Sequence, residues 1–215
     1  MTAMNSNWKT ITAACLIIGL VAFNTYVVYQ YRRVGKALKE QKSISFEAGR
    51  KETALMANLQ LALENDGLEL PADLLLKHSQ DSIFSLASYM KGRKQVLVVR
   101  VSDLYCADCN NFILQKMGRL TQELNLSGHI LYIGTFQSAT TQRILRNRMG
   151  LDSDIMLADQ ESLSILPLEG IGFPYCFVLT EDLTILHAFV PDKTVPSLSN
   201  FYLRSISQRY FASNN

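Results

Sequence analysis

The first patterned stretch of the chain is apolar on every side. Residues 10–31 are dominated by ITAACLIIGLVAF and then TYVVY, with no charged side chain and one asparagine, Asn24. A helix needs about 20 such residues to cross the hydrocarbon core of a bilayer. Trp8 precedes the run, and Tyr26, Tyr29 and Tyr31 mark its far end, where interfacial aromatic residues sit; Lys9 and Arg32-Arg33 close the two ends. A cleaved signal peptide fits less well, because no small-x-small site follows and the run is long for a signal core. Thr12-Ala13-Ala14-Cys15 resembles a lipoprotein cleavage box faintly, but the apolar run follows that cysteine instead of preceding it. The pattern predicts a short tail over 1–9 and a retained transmembrane anchor over 10–31.

Residues 32–65 are polar and helix-prone. Leu55, Leu59 and Leu63 recur at i, i+4 and i+8, one apolar stripe on a helix. Asn65-Asp66-Gly67 is a stop signal and Pro71 prevents continuation. The segment reads as a linker or stalk, or as a helix packed on the C-terminal part of the chain.

From Asp66 to Asn215 the period changes. Gln95–Ser102 is an apolar strand interrupted once, by Arg100, as expected for a sheet covered on both faces. The segment CADCNNFILQKMGRLTQEL places Ile113, Met117, Leu120 and Leu124 on one helical face. His129–Phe136 predicts a strand, Thr140–Met149 a helix and Asp154–Asp159 a short strand. Tyr175–Val190 predicts two strands around Glu181-Asp182. A last helix starting near Pro196 carries Leu198, Tyr202, Ile206 and Tyr210. This is an α/β layout with a closing hairpin, in a segment long enough to bury a full core.

Composition changes the picture little. Of 215 residues, 48% are hydrophobic and 19% charged, and the formal charge is +2, so no basic surface argues for nucleic acid. The run Arg143, Arg146, Arg148 reads as a solvated helix face. Four cysteines are too few for a disulfide-stapled scaffold of this length. Only Cys106 and Cys109 are close in sequence; Cys15 lies in the apolar run and Cys176 in a later strand, where it reads as a small core residue. His78, His129 and His187 are scattered and no second cysteine knuckle exists, so no metal site is expected. Gly170-x-Gly172 is followed by a proline and a strand where a dinucleotide loop would open a helix, so no cofactor is expected.

Cys106-Ala107-Asp108-Cys109 falls between a buried strand and an amphipathic helix, and that placement gives the pair its chemistry. A cysteine at a helix N-terminus meets the positive end of the dipole and free N–H groups, which favour thiolate over thiol. A second cysteine three residues on lies one turn deeper on the same face and can attack a mixed disulfide on the first. Cys106 is the expected nucleophile and Cys109 the resolving thiol. Half a zinc site and a passive structural disulfide are the competing readings.

In this setting the chain resembles the thioredoxin superfamily, specifically the membrane-anchored, TlpA-like bacterial thiol–disulfide proteins. Three blocks between about residues 70 and 211 carry the resemblance. They are Ile83-Phe84-Ser85-Leu86 with Lys91-Gly92-Arg93-Lys94, then VLVVRVSDLYCADC, then Gly172-Phe173-Pro174 before a strand. The resemblance implies a thioredoxin-like fold, a central mixed sheet flanked by helices, behind an N-terminal transmembrane helix. It implies a cis Pro174 beside the cysteines, with Tyr105, Phe173 and Pro174 at the surface that meets a partner. Tyr105 stands where the family usually has Trp, and Ala107-Asp108 where thioredoxins have Gly-Pro. Arg100 occupies a position that often carries an acid. Asp108 should oppose a thiolate at Cys106, and Arg100 should favour it if its head reaches the site instead of snorkelling to the sheet edge. A peroxiredoxin would want Thr three before its reactive cysteine and Pro further back; Asp103 and Val99–Val101 occupy that stretch. A copper chaperone would space its cysteines by four and match a histidine.

Two functions follow as expectations. One is a thiol–disulfide oxidoreductase, reducing or isomerising partner proteins and served by an electron donor the sequence does not identify. The other is a thioredoxin-fold binding module whose CxxC is structural or vestigial. The expected location is the bacterial cytoplasmic membrane, with the chain anchored in the bilayer by residues 10–31. Arg32, Arg33, Lys36 and Lys39 outnumber Lys9 and argue for a cytoplasmic domain. Long domains, however, cross largely regardless of flanking charge, and the TlpA-like proteins face outward, so the domain is expected outside the cytoplasm.

Overall fold

The computed structural model describes residues 4–78, 82–124, 126, 128–149 and 155–211; the side chains of 4–15, 139, 146–149 and 160 lie outside that description. Two units divide the chain, Met1–Arg50 and Lys51–Asn215. Helix α1 (Met4–Asn65) accounts for the described part of the first and opens the second. Leu16, Ile17, Ile18, Leu20, Val21 and Phe23 are all exposed. Among the described residues no helix is long and apolar enough to cross a membrane. The side chains of residues 10–15 of the expected anchor lie outside the description, as do those of the flanking Trp8 and Lys9 and of Arg146 and Arg148.

In chain order the second unit continues with β1 (Leu75–Lys77), β2 (Ile83–Ser85), α2 (Leu86–Met90), β3 (Gln95–Ser102) and α3 (Ala107–Glu123). Then come β4 (Ile130–Thr135), α4 (Ala139–Met149), β5 (Ile155–Leu157), α5 (Gln160–Leu163) and a 3₁₀ turn, Pro167–Ile171. Strands β6 (Tyr175–Thr180) and β7 (Ile185–Phe189) precede α6 (Pro196–Ile206), which ends in a π turn, Ser207–Phe211. The described strands form one mixed sheet in the order β2-β1-β5-β4-β3-β6-β7. Strands β3, β4 and β5 are parallel, and β6 and β7 are antiparallel additions at β3's other side.

Alternation along β3 sorts the core into two. Val96 and Val98 share a face with Leu131, Ile133, Tyr175, Phe177 and Leu179. Leu97, Val99 and Val101 face the other way, into Ile113, Leu114, Met117, Leu203 and Ile206 of α3 and α6. Gly134 lies at a close approach on β4: a Cβ there would overlap the Phe136 ring and stand 2.8 Å from Ile155.

The last turns of α1, residues 51–65, fall in the second unit. The packed side of the helix is not the leucine stripe. Leu55, Leu59 and Leu63 are exposed, whereas Asn58 and Asn65 are buried and Leu61 packs on the core. Polar chemistry chose that side. The Asn58 amide donates to Val190 O (3.2 Å) and accepts from Val190 N (2.7 Å). Further along, Ala188 N donates to Asp66 Oδ1, Ile185 N to Leu68 O, and Gly67 N to Ile185 O. Residues 58–68 thus line the outer edge of β7.

Candidate active site

Strand β3 ends at Ser102, and the chain turns sharply before α3. Tyr105 N donates to Ser102 O (3.1 Å) and Leu104 N to Ser102 Oγ (3.2 Å). Asn110, in the first turn of α3, donates through its amide to Ser102 O at 2.7 Å and ties helix start to strand end. Cys106 is thereby fixed as the N-cap of α3, with Cys109 N and Asn110 N donating to its carbonyl at 3.0 Å each. The sulfurs of Cys106 and Cys109 stand at disulfide distance, with Cα atoms 5.2 Å apart. Cys106 is half-buried and Cys109 buried.

Two residues before Pro174, Gly172 O accepts from Cys106 N at 3.4 Å. One implied feature is corrected. Among the described residues no peptide bond is cis, so Pro174 is trans. Gly172 closes the 3₁₀ turn at φ +69°, a left-handed conformation open to glycine without a Cβ penalty. Of the three residues expected to face a partner, Phe173 is exposed, and so is Leu104 nearby in the chain. Tyr105 and Pro174 are buried.

Arg100 neither snorkels nor stands alone. It is 1% exposed and pairs with Glu169, a residue the sequence did not single out, from the 3₁₀ turn. Its Nε donates to Glu169 Oε1 (2.7 Å) and its Nη2 to Oε2 (3.2 Å). Nη1 donates to Val101 O and Nη2 also to Thr135 Oγ1. The same carboxylate accepts from the Tyr105 hydroxyl at 2.7 Å and the Tyr175 hydroxyl at 2.5 Å. Burial works against the charge of Arg100, but the bond and charge of Glu169 outweigh it and hold the guanidinium protonated above its ordinary range. Burial, helped by the Glu169 charge, pushes both tyrosine phenols up. A lone charge in a strand covered on both faces requires a partner; that was the available signal, though it could not name Glu169.

Asp108 faces outward and pairs with Lys193 at 3.1 Å, both side chains exposed. Cys176 is a free, buried thiol on the α3–α6 side, its sulfur 3.7 Å from Phe189 O, and burial pushes its pKa far up. Such a thiol is inert. Among the described residues, no three His, Cys, Asp or Glu side chains are grouped to hold a metal ion.

No family model matches the chain, and no curated protein does. Solved structures do. A candidate electron transfer protein from Aquifex aeolicus VF5 superposes with a TM-score of 0.51 at 15% identity, covering 69% of this chain and 98% of that one. The fold is thioredoxin-like. A thiol:disulfide interchange protein from Bacteroides sp. matches with a TM-score of 0.45 at 12% identity, covering 70% and 97% of the two chains. A mutant form of peroxiredoxin Q from Xanthomonas campestris matches with a TM-score of 0.47 at 14% identity, covering 67% and 99%. In this thioredoxin-like frame the CxxC occupies the junction between the central strand and the helix after it.

Proposed function

We propose that the protein is a membrane-tethered thiol–disulfide oxidoreductase that reduces or isomerises disulfides of partner proteins. The observation that carries this reading is the unequal placement of one cysteine pair: Cys106 half-buried at the start of α3, Cys109 buried one turn on. In the reduced protein the Cys106 thiolate attacks one sulfur of a partner disulfide. The new S–S bond joins partner to Cys106, and the other partner sulfur leaves as a thiolate that takes a proton from water. The Cys109 thiolate then attacks Cys106 Sγ, closing the Cys106–Cys109 disulfide and releasing the second partner sulfur as a thiol. The partner gains two electrons and the pair loses two; a dithiol donor restores it.

Residues 10–31 support the tether. A helix apolar on all sides wants either a protein core or lipid around it, and the described part of this one exposes its apolar side chains. The domain is read as extracytoplasmic.

Cys109→Ser tests the mechanism: attack survives and release fails, so partners accumulate as covalent adducts on non-reducing gels of membranes, while Cys106→Ser gives none. Equal trapping by both variants overturns the assignment of roles. No trapping by either, with an inert wild type, favours a binding module. An impermeant thiol reagent applied to intact spheroplasts should label reduced Cys106; labelling only after lysis would put the domain in the cytoplasm.

A further inference from the structure

The cluster around Glu169 does more than neutralise Arg100. One short turn reaches the start of α3 by two routes. The first runs through a side chain: Glu169 Oε2 accepts from the hydroxyl of Tyr105, the residue directly before Cys106. The second runs through backbone: Gly172, just past the same turn, accepts from Cys106 N. The turn itself is anchored twice more, by Arg100 from β3 and by Tyr175 from β6. Bonds to a buried ionised carboxylate are short and strong. The side chain of Cys106 itself makes no capping bond to the helix it opens.

We propose that Glu169 is a positioning residue for Cys106, acting through the Tyr105 phenol and through Gly172 beside its own turn. The inference rests on the reading of Cys106 as the reacting thiol. A thiolate at a helix start depends on where its sulfur lies relative to the first-turn N–H groups, so loosening Tyr105 lowers the thiolate fraction. Tyr105 and Tyr175 provide a matched pair for the test. Each gives one phenol bond to the same carboxylate, but Tyr105 is continuous with Cys106 and Tyr175 with β6.

The measurement is the pH–rate profile of Cys106 alkylation by iodoacetamide. It uses reduced full-length protein in detergent micelles, read by mass spectrometry. Tyr105→Phe should slow alkylation at neutral pH about threefold or more, equivalent to about half a pKa unit, and move the profile to higher pH. Tyr175→Phe should stay within about twofold of wild type, since one lost bond at that end leaves the Cys106 side tied. Equal slowing by both would mean the cluster acts only as structure, and no change in Tyr105→Phe would overturn the inference. Glu169→Gln, where it folds, should resemble Tyr105→Phe; where it does not, the two phenylalanine variants decide alone. A wild type whose Cys106 alkylates readily but reduces no protein disulfide would sink the oxidoreductase reading and leave the positioning role standing.

Discussion

On one side of β3, Val96 and Val98 lead to Arg100, Glu169 and two tyrosine hydroxyls; on the other, Leu97, Val99 and Val101 join an apolar cluster with α3 and α6. Both faces are buried, and they are held together by different physics. The α3–α6 face depends on shape, filled by Ile113, Leu114, Met117 and the inert thiol of Cys176. The other keeps an ion pair at the end of the strand where the chain turns toward the cysteines. A buried pair is weak evidence for stability but costly to break from one side. Its position at the site-forming end of β3 suits a group that orients the cysteine turn.

The largest effect should come from breaking that pair. Glu169→Ala leaves a buried guanidinium without its counter-charge and should destabilise the domain by about 3–5 kcal/mol, read as a fall in urea midpoint. Joining it to Arg100→Met should recover most of the loss. If Glu169→Ala costs under about 1 kcal/mol, water reaches the pair and the contrast between faces fails.

On the shape-filled face the matching test is steric. Gly134→Ala pushes Cβ into Phe136 and Ile155 and should cost about 1–3 kcal/mol by overpacking. A thermal midpoint equal to wild type would show slack where the packing leaves none.

Alkali tests the polar face again. The Tyr175 phenol is raised in the fold above its ordinary value near 10, so the native state keeps its proton where the unfolded chain loses it. Stability is therefore full below about pH 10 and falls above it, by about 1.4 kcal/mol per pH unit for each such phenol. Denaturant titrations at rising pH should show a shallower loss in Tyr175→Phe. An unchanged slope would mean that Tyr175 ionises as freely in the fold as outside it.

The smallest effect belongs outside both faces. Lys193→Ala deletes the exposed partner of Asp108 and should change stability by less than about 1 kcal/mol. A larger drop in the denaturant midpoint would mean that this pair, too, is structural.

The long elements were legible because their periodicity had room to show. The strand over 95–102, the helix after Cys106, the strands around Glu181-Asp182 and the helix from Pro196 all stand where the pattern put them. Strands β1 and β2, three residues each, are too short to carry a period. The cysteine pair was legible from spacing and context. Glu169 was not: it lies 69 residues from Arg100, in a turn with no repeat. Pro174 misled because a late proline before a strand implies a family geometry with a cis bond, and here that bond is trans. The leucine stripe left stalk and packed helix open, and the contact made by Asn58, a polar residue off that stripe, carried no periodic signal.

Asn58 also decides how the sheet ends. β7 is the last strand of the described sheet, and a bare sheet edge invites another chain to add to it. The Asn58 amide satisfies both backbone groups of Val190, and residues 66–68 continue along the strand. A fragment beginning at Asp66 would lose the first of these contacts and offer an open rung to its neighbours, whereas one beginning at Lys51 would keep the edge sealed. The final turns of the helix thus serve as a guard against self-association, and a domain trimmed at the apparent stop signal should be the version that forms aggregates.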